Sequence, residues 1–208
     1  MKGLLLKDLY TMRSYLRTLA VMFVFYIVLG FVSRTSSFFA AFVGVLCIVM
    51  TVTSYAYDQT CGWNLYGASL PVSRREMVRS KYLLALLLSA AGILVTLLAH
   101  LLFVLGGRGG TLAEILPNAL GAGASGFLIV IILLPVLYRF GVEKGRVVMM
   151  ILAAGIMGGI FLMAQISPGI HIPEDRIRAV LWSVPAVLAV MLVISYSLSC
   201  RFFEAKDL

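Results

Sequence analysis

Few side chains in this chain have the type and spacing that chemistry requires. Gly123-Ala124-Ser125-Gly126 has the GxSG form in which a serine within a membrane can act as a nucleophile. Such a serine needs a histidine base within hydrogen-bond reach. The chain has two histidines, His100 and His171, and neither lies in the apolar stretch 180–198 that follows. His100 falls near the outer end of an apolar run, where a neutral imidazole bonded to a neighbouring helix is expected. His171 falls in an outer loop. Gly106-Gly107-Arg108-Gly109-Gly110-Thr111 is glycine-rich, but it lacks the lysine of the GxxxxGK[ST] phosphate loop and reads as a turn. Cys47, Cys61 and Cys200 have no paired spacing, so neither a metal site nor a disulfide is expected. No catalytic residue is assigned.

The most informative polar stretch is Asp58–Lys81, DQTCGWNLYGASLPVSRREMVRSK. It keeps Trp63, Leu65, Tyr66, Leu70 and Val72, which a purely solvated connector would not need. Ser73 followed at three residues by Glu76 fits a capping box, in which each side chain bonds the other's backbone amide. Pro71 stops any helix before it. A short helix is therefore expected before Pro71, and a second from near Arg74 into the next apolar run. The stretch reads either as an interfacial loop anchored by Trp63 and Tyr66 or as a docking knob for a cytoplasmic partner. Small residues form two further patterns: ALGAGASG at 119–126, including Gly121 and Ser125, and the pair Gly155 and Gly159. Both let helix backbones approach closely, within one chain or between two.

These residues need elements to hold them, and composition says which. Of 208 residues, 62% are apolar and 12% charged, against about 25% charged in soluble domains. That excludes a water-soluble enzyme, a nucleic-acid-binding domain and a disordered chain. Charge-poor runs of about the 20 residues a spanning helix requires occur near 17–33, 38–57, 82–105, 118–138, 147–166 and 180–198. The fold class is an all-α polytopic membrane protein with six spans. A barrel would instead show alternating segments of about 10 residues. With the N-terminus inside, 13 of the 17 Lys and Arg residues fall on the inner side and four (Arg34, Arg108, Arg176 and Arg178) on the outer. Both termini are therefore expected in the cytoplasm. The net charge of +8 reflects this topology rather than nucleic-acid binding. Residues 1–16 read as an amphipathic helix lying on the inner membrane surface, not as a cleavable signal peptide. Residues 17–208 form one transmembrane domain, with 58–81 as its main cytoplasmic loop. The spans carry no Asp, Glu, Lys or Arg away from their ends, which argues against an ion-coupled carrier.

The chain resembles the short permeases of the ABC-2 type transporter family. The resemblance lies in the N-terminal MKGLLLKDLY and in Asp58 to Trp63 followed by LPVSRREMV (70–78). It continues in Pro135 with YRFGVEKGR (138–146) and in SYSLS (195–199). It implies a permease subunit without an ATPase of its own, in the bacterial cytoplasmic membrane. A second copy or homologue would pair with it, and ATP and Mg would be held by a partner ATPase subunit. Carried over, a coupling segment would contact that ATPase through Asp58, Trp63, Leu70, Pro71, Ser73, Arg74, Arg75 and Glu76. Arg139, Gly141, Glu143, Lys144 and Arg146 would form a second cytoplasmic contact. Within the family, phenol-soluble-modulin and lantibiotic exporters suggest amphipathic or antimicrobial peptides as substrate. The competing readings are a rhomboid-like intramembrane protease built on Ser125, and a non-catalytic scaffold or immunity protein.

Overall fold

The computed structural model describes residues 2–33, 37–105, 112–166 and 174–205. Arg34, Arg108, His171 and the segment 106–111, expected as a turn, lie outside the described residues, as do the surroundings of Gly159 and the side chains of Arg176 and Arg178. Among the described residues seven α-helices follow one another: α1 (Lys2–Met12), α2 (Leu16–Ser33), α3 (Ser37–Thr60), α4 (Trp63–Ser69), α5 (Arg74–Leu105), α6 (Leu112–Ile166) and α7 (Glu174–Glu204). A single 3-10 turn, Arg13–Tyr15, joins α1 to α2. No strand occurs among the described residues. Helix covers each of the six charge-poor windows. Among the described residues three stretches are long and apolar enough to cross a membrane by length and composition: Arg74–Leu102, Ile115–Ile151 and Pro185–Glu204. A shorter apolar run, Ala20–Leu29, lies in α2.

Local chemistry explains the boundaries. Gly62 has φ 65 and ψ 21, a left-handed conformation that ends α3 and opens α4. Leu70 is extended before Pro71, which closes α4. The expected capping box is present at the start of α5. The Ser73 amide donates to Glu76 Oε2 at 3.0 Å, and the Glu76 amide donates to Ser73 Oγ at 3.2 Å. Pro117 and Pro135 lie inside α6, and Pro185 lies inside α7.

The stretch 139–146 connects the apolar runs 118–138 and 147–166. Helix continues through it except at one residue, Gly141, with φ 80 and ψ −178. That conformation is essentially restricted to glycine. The break folds the second arm of α6 back onto the first. In an unbroken helix, residues eight apart lie about 12 Å apart along the axis. Here a methyl group at Gly145 would sit 2.5 Å from Leu137 Cδ2. Gln59 at the end of α3 secures the turn, its Oε1 accepting the Val142 amide at 3.2 Å.

The first arm of α6 lies at the centre, packed by α3, α5 and α7. Leu133, Leu134, Leu137 and Tyr138 are buried there with Tyr55, Val78, Tyr82 and Phe203. Edge-to-face rings connect α3, α6 and α7: Tyr55 to Tyr138 at 5.1 Å and Tyr138 to Phe203 at 5.4 Å. Buried hydroxyls tie α5 to α7, with Tyr82 Oη 2.6 Å from Ser195 Oγ and 2.8 Å from Ser199 Oγ. Ser195 also donates to the Ile131 carbonyl of α6. The charged end of the bundle thus has a core of interlocked rings and hydroxyls.

Small residues pack α6 on α5, with Ala119, Ala122, Gly123 and Gly126 buried. Gly121 and Ser125 face the other way and are exposed, and a Cβ at Gly121 or Gly155 would meet nothing within 4 Å.

α1 packs one face against α3 and α5. Leu6 and Leu9 point outward, 56% and 47% exposed, while Leu4 and Leu5 are half-buried. Lys7 and Asp8 turn inward: Asp8 is 1% exposed and the Lys7 side chain 24%. Tyr15 and Tyr57 share a hydroxyl hydrogen bond of 3.0 Å that pins the following turn to α3.

Candidate functional site

Four charges from three helices meet at the polar end of the bundle. Lys81 Nζ of α5 donates to Asp8 Oδ1 of α1 at 2.8 Å and to Ser54 Oγ of α3 at 2.8 Å. It also bridges Asp58 Oδ2 of α3. Lys7 Nζ bridges Asp58 Oδ1 and lies 3.1 Å from Asp8 Oδ1. The Lys81, Asp8 and Asp58 side chains are 6%, 2% and 10% exposed. Two cations therefore balance two anions, the condition under which buried charge is tolerated. Asp8 Oδ2 has no hydrogen-bond partner among the described residues.

This cluster holds α4. Trp63 opens that helix, and Lys7 Nζ lies 4.2 Å from its ring centroid, a cation–π contact. Gly67 is buried against the Met77 side chain of α5, so the middle of α4 packs closely on the bundle. The opposite face is bare: Leu65 is 62% exposed and Tyr66 58%. A seven-residue helix with one face fixed and two large apolar side chains presented outward can bind a partner and pass on its displacement.

Neighbouring segments converge on the same end. Arg74 donates to the carbonyls of Phe203 and Glu204 at 3.3 and 3.0 Å, satisfying groups at the end of α7. Arg75 Nε bridges Glu204 Oε1 at 2.8 Å. Arg139 lies over Phe202 at 5.1 Å and over Phe140 at 5.2 Å.

The structure divides the residues expected to couple. Pro71, Ser73 and Arg75 are exposed, Leu70, Arg74 and Glu76 are half-buried, and Trp63 is half-buried under Lys7. Asp58 is buried and committed to Lys7 and Lys81. Of the second set, Arg139, Glu143, Lys144 and Arg146 are exposed, while Gly141 is buried in the turn. The sequence reading missed Lys7, Asp8, Ser54 and Lys81. The available signal was the scarcity of charge: acidic residues beside apolar runs need cations, and few are at hand.

Ser125 Oγ donates to the Ala122 carbonyl of its own helix at 2.9 Å. His100 is buried with Nδ1 3.2 Å from the Thr96 carbonyl, also its own helix rather than a neighbouring one. Among the described residues, no group of three His, Cys, Asp or Glu side chains could hold a metal ion.

A family model described as ABC-2 family transporter protein matches residues 3–204. The chain belongs to that family. No curated protein and no solved structure matches it. The match covers α1 to α7, so the charge cluster, α4 and the Gly141 turn all lie within the ABC-2 region. ABC-2 permeases are membrane components of transporters, in keeping with the apolar helices here.

Proposed function

We propose that this chain is the transmembrane permease subunit of an ABC transporter, driven by a separate ATP-binding subunit that docks on α4. The carrying observation is the division of α4 into a face held by Lys7 and Met77 and a face presenting Leu65 and Tyr66. On this reading Trp63 and Asp58 act behind the docking surface, while Leu65, Tyr66, Pro71 and Arg75 form it. Arg139, Glu143, Lys144 and Arg146 make the second contact. Six spans, both termini in the cytoplasm and pairing with a second permease complete the arrangement, in a bacterial cytoplasmic membrane. Convergence of α1, α4, the Gly141 turn and the end of α7 on one end of the bundle supports it.

Closure of the ATP-bound partner would push α4. Because α4 is fixed to the cluster, the push reaches α1, α3 and α5 together as a rigid displacement. The substrate would be an amphipathic or antimicrobial peptide, or another apolar molecule, moved outward.

Affinity purification of the tagged chain from its native membrane tests the reading. Wild type should recover an ATP-binding subunit, and Leu65→Asp with Tyr66→Asp should lose it while the permease stays folded. Full recovery by that double variant would remove α4 as the docking element. Stimulation of the reconstituted complex's ATPase by amphipathic peptides, but not by soluble ones, tests the substrate class.

A further inference from the structure

The geometry points to a binding site for one anionic phospholipid in the groove between α1 and the face formed by α2, α3 and α5. The groove encloses about 660 Å³, within the roughly 300–1,000 Å³ typical of ligand sites. Its walls are apolar, with Leu9 of α1, Phe23 of α2, Leu46 and Met50 of α3, and Leu88 and Val95 of α5. Met12, Met50 and Leu84 form a buried floor at its α1 end. Flexible methionines adapt to a chain of variable shape.

The groove carries one charged residue in its lining, Arg13, which is exposed. Arg17, one turn further on, is exposed as well. The nearest acidic side chain on α1, Asp8, points away into the Lys81 cluster. An apolar slot with a guanidinium at its mouth and no carboxylate matches an acyl chain joined to a phosphate. Guanidinium binds phosphate in a two-pronged geometry. Basic pockets between spanning helices on the cytoplasmic side have this character. An apolar void of this kind stays dry, and bilayer chains are the apolar groups at hand. The bound lipid would fasten α1 to the bundle from the side opposite Asp8. This site rests on membrane embedding alone and does not depend on the ATPase partner.

The full-length chain in nanodiscs of equal phosphatidylglycerol and phosphatidylcholine provides the test, read by native mass spectrometry after mild detergent extraction. One phosphatidylglycerol should be retained per chain, favoured about fivefold, the weight of a single cation against an anionic headgroup. Arg13→Gln should erase the preference but keep one lipid of either kind. Ala91→Phe, which fills the groove, should remove the retained lipid. A phosphatidylglycerol with a photoactivatable acyl chain should label 88–95 in the wild type, so the map decides even if Ala91→Phe does not fold. Equal retention of both lipids by the wild type would overturn the site, as would label confined to other helices. So would crosslinks between chains at Ala91→Cys with no lipid retained, because the groove would then hold a second copy.

Discussion

Lys81 is the residue on which the polar end depends. It reaches Asp8, Ser54 and Asp58 at once, and its side chain is 6% exposed. Removing one member of a buried ion network leaves its partners charged and unpaired, which typically costs about 3–5 kcal/mol. Lys81→Met should therefore lower thermal stability in detergent strongly, by more than Lys7→Met, whose side chain is 24% exposed. Thermal unfolding followed by tryptophan fluorescence compares the two, and equal, small shifts would show that the network contributes little. Little of this network was legible in the sequence. Asp8 read as the polar face of a surface helix, and Asp58 as a docking residue. Lys7 and Asp58 lie 51 residues apart and Lys81 and Asp8 73 apart, separations that no local spacing rule spans. Ser73 and Glu76 were legible because their partnership is local, three residues long and stereotyped.

At the scale of elements, the local signals between α4 and α5 match the structure. Pro71 and the capping box bound α4 and α5 as expected. The stretch from Arg139 to Arg146, with four charged residues and two glycines in eight positions, read only as the connection between two spans. In the structure one positive-φ glycine makes the whole reversal, and the charges sit on helical turns to either side. Gly141→Ala should be costly for two reasons. A side chain in that conformation is strained by roughly 1–3 kcal/mol. Its Cβ would also lie 3.2 Å from Gln59 Nε2, crowding the group that accepts the Val142 amide. Gln59→Ala removes the crowding but not the strain, so it should not restore Gly141→Ala to wild-type stability. Full rescue in thermal unfolding would mean that contact, rather than backbone conformation, fixes the turn. Gly3→Ala, where a Cβ meets nothing within 4 Å, serves as the neutral control.

For the molecule as a whole, the three cysteines report burial and orientation together. Cys61 is exposed at the joint between α3 and α4, whereas Cys47 is 1% and Cys200 8% exposed in the core. On the proposed topology, the excess of Lys and Arg puts Cys61 in the cytoplasm. A membrane-impermeant maleimide should therefore label the wild-type chain once in inside-out vesicles and scarcely at all in right-side-out ones. Cys61→Ser should abolish that labelling. Denaturation should expose the other two thiols. Cys200 is the sharper part of the argument, because it lies near the same polar end, one turn before Phe203, where α7 meets Arg74. If it were reached as readily as Cys61, α7 would not be packed into the core as the buried Tyr138 and Phe203 rings require. Labelling of Cys61 from the outside would reverse the orientation. The docking of a cytoplasmic ATPase on α4 would fall with it, because Cys61 and Trp63 are two residues apart and belong to one side of the membrane.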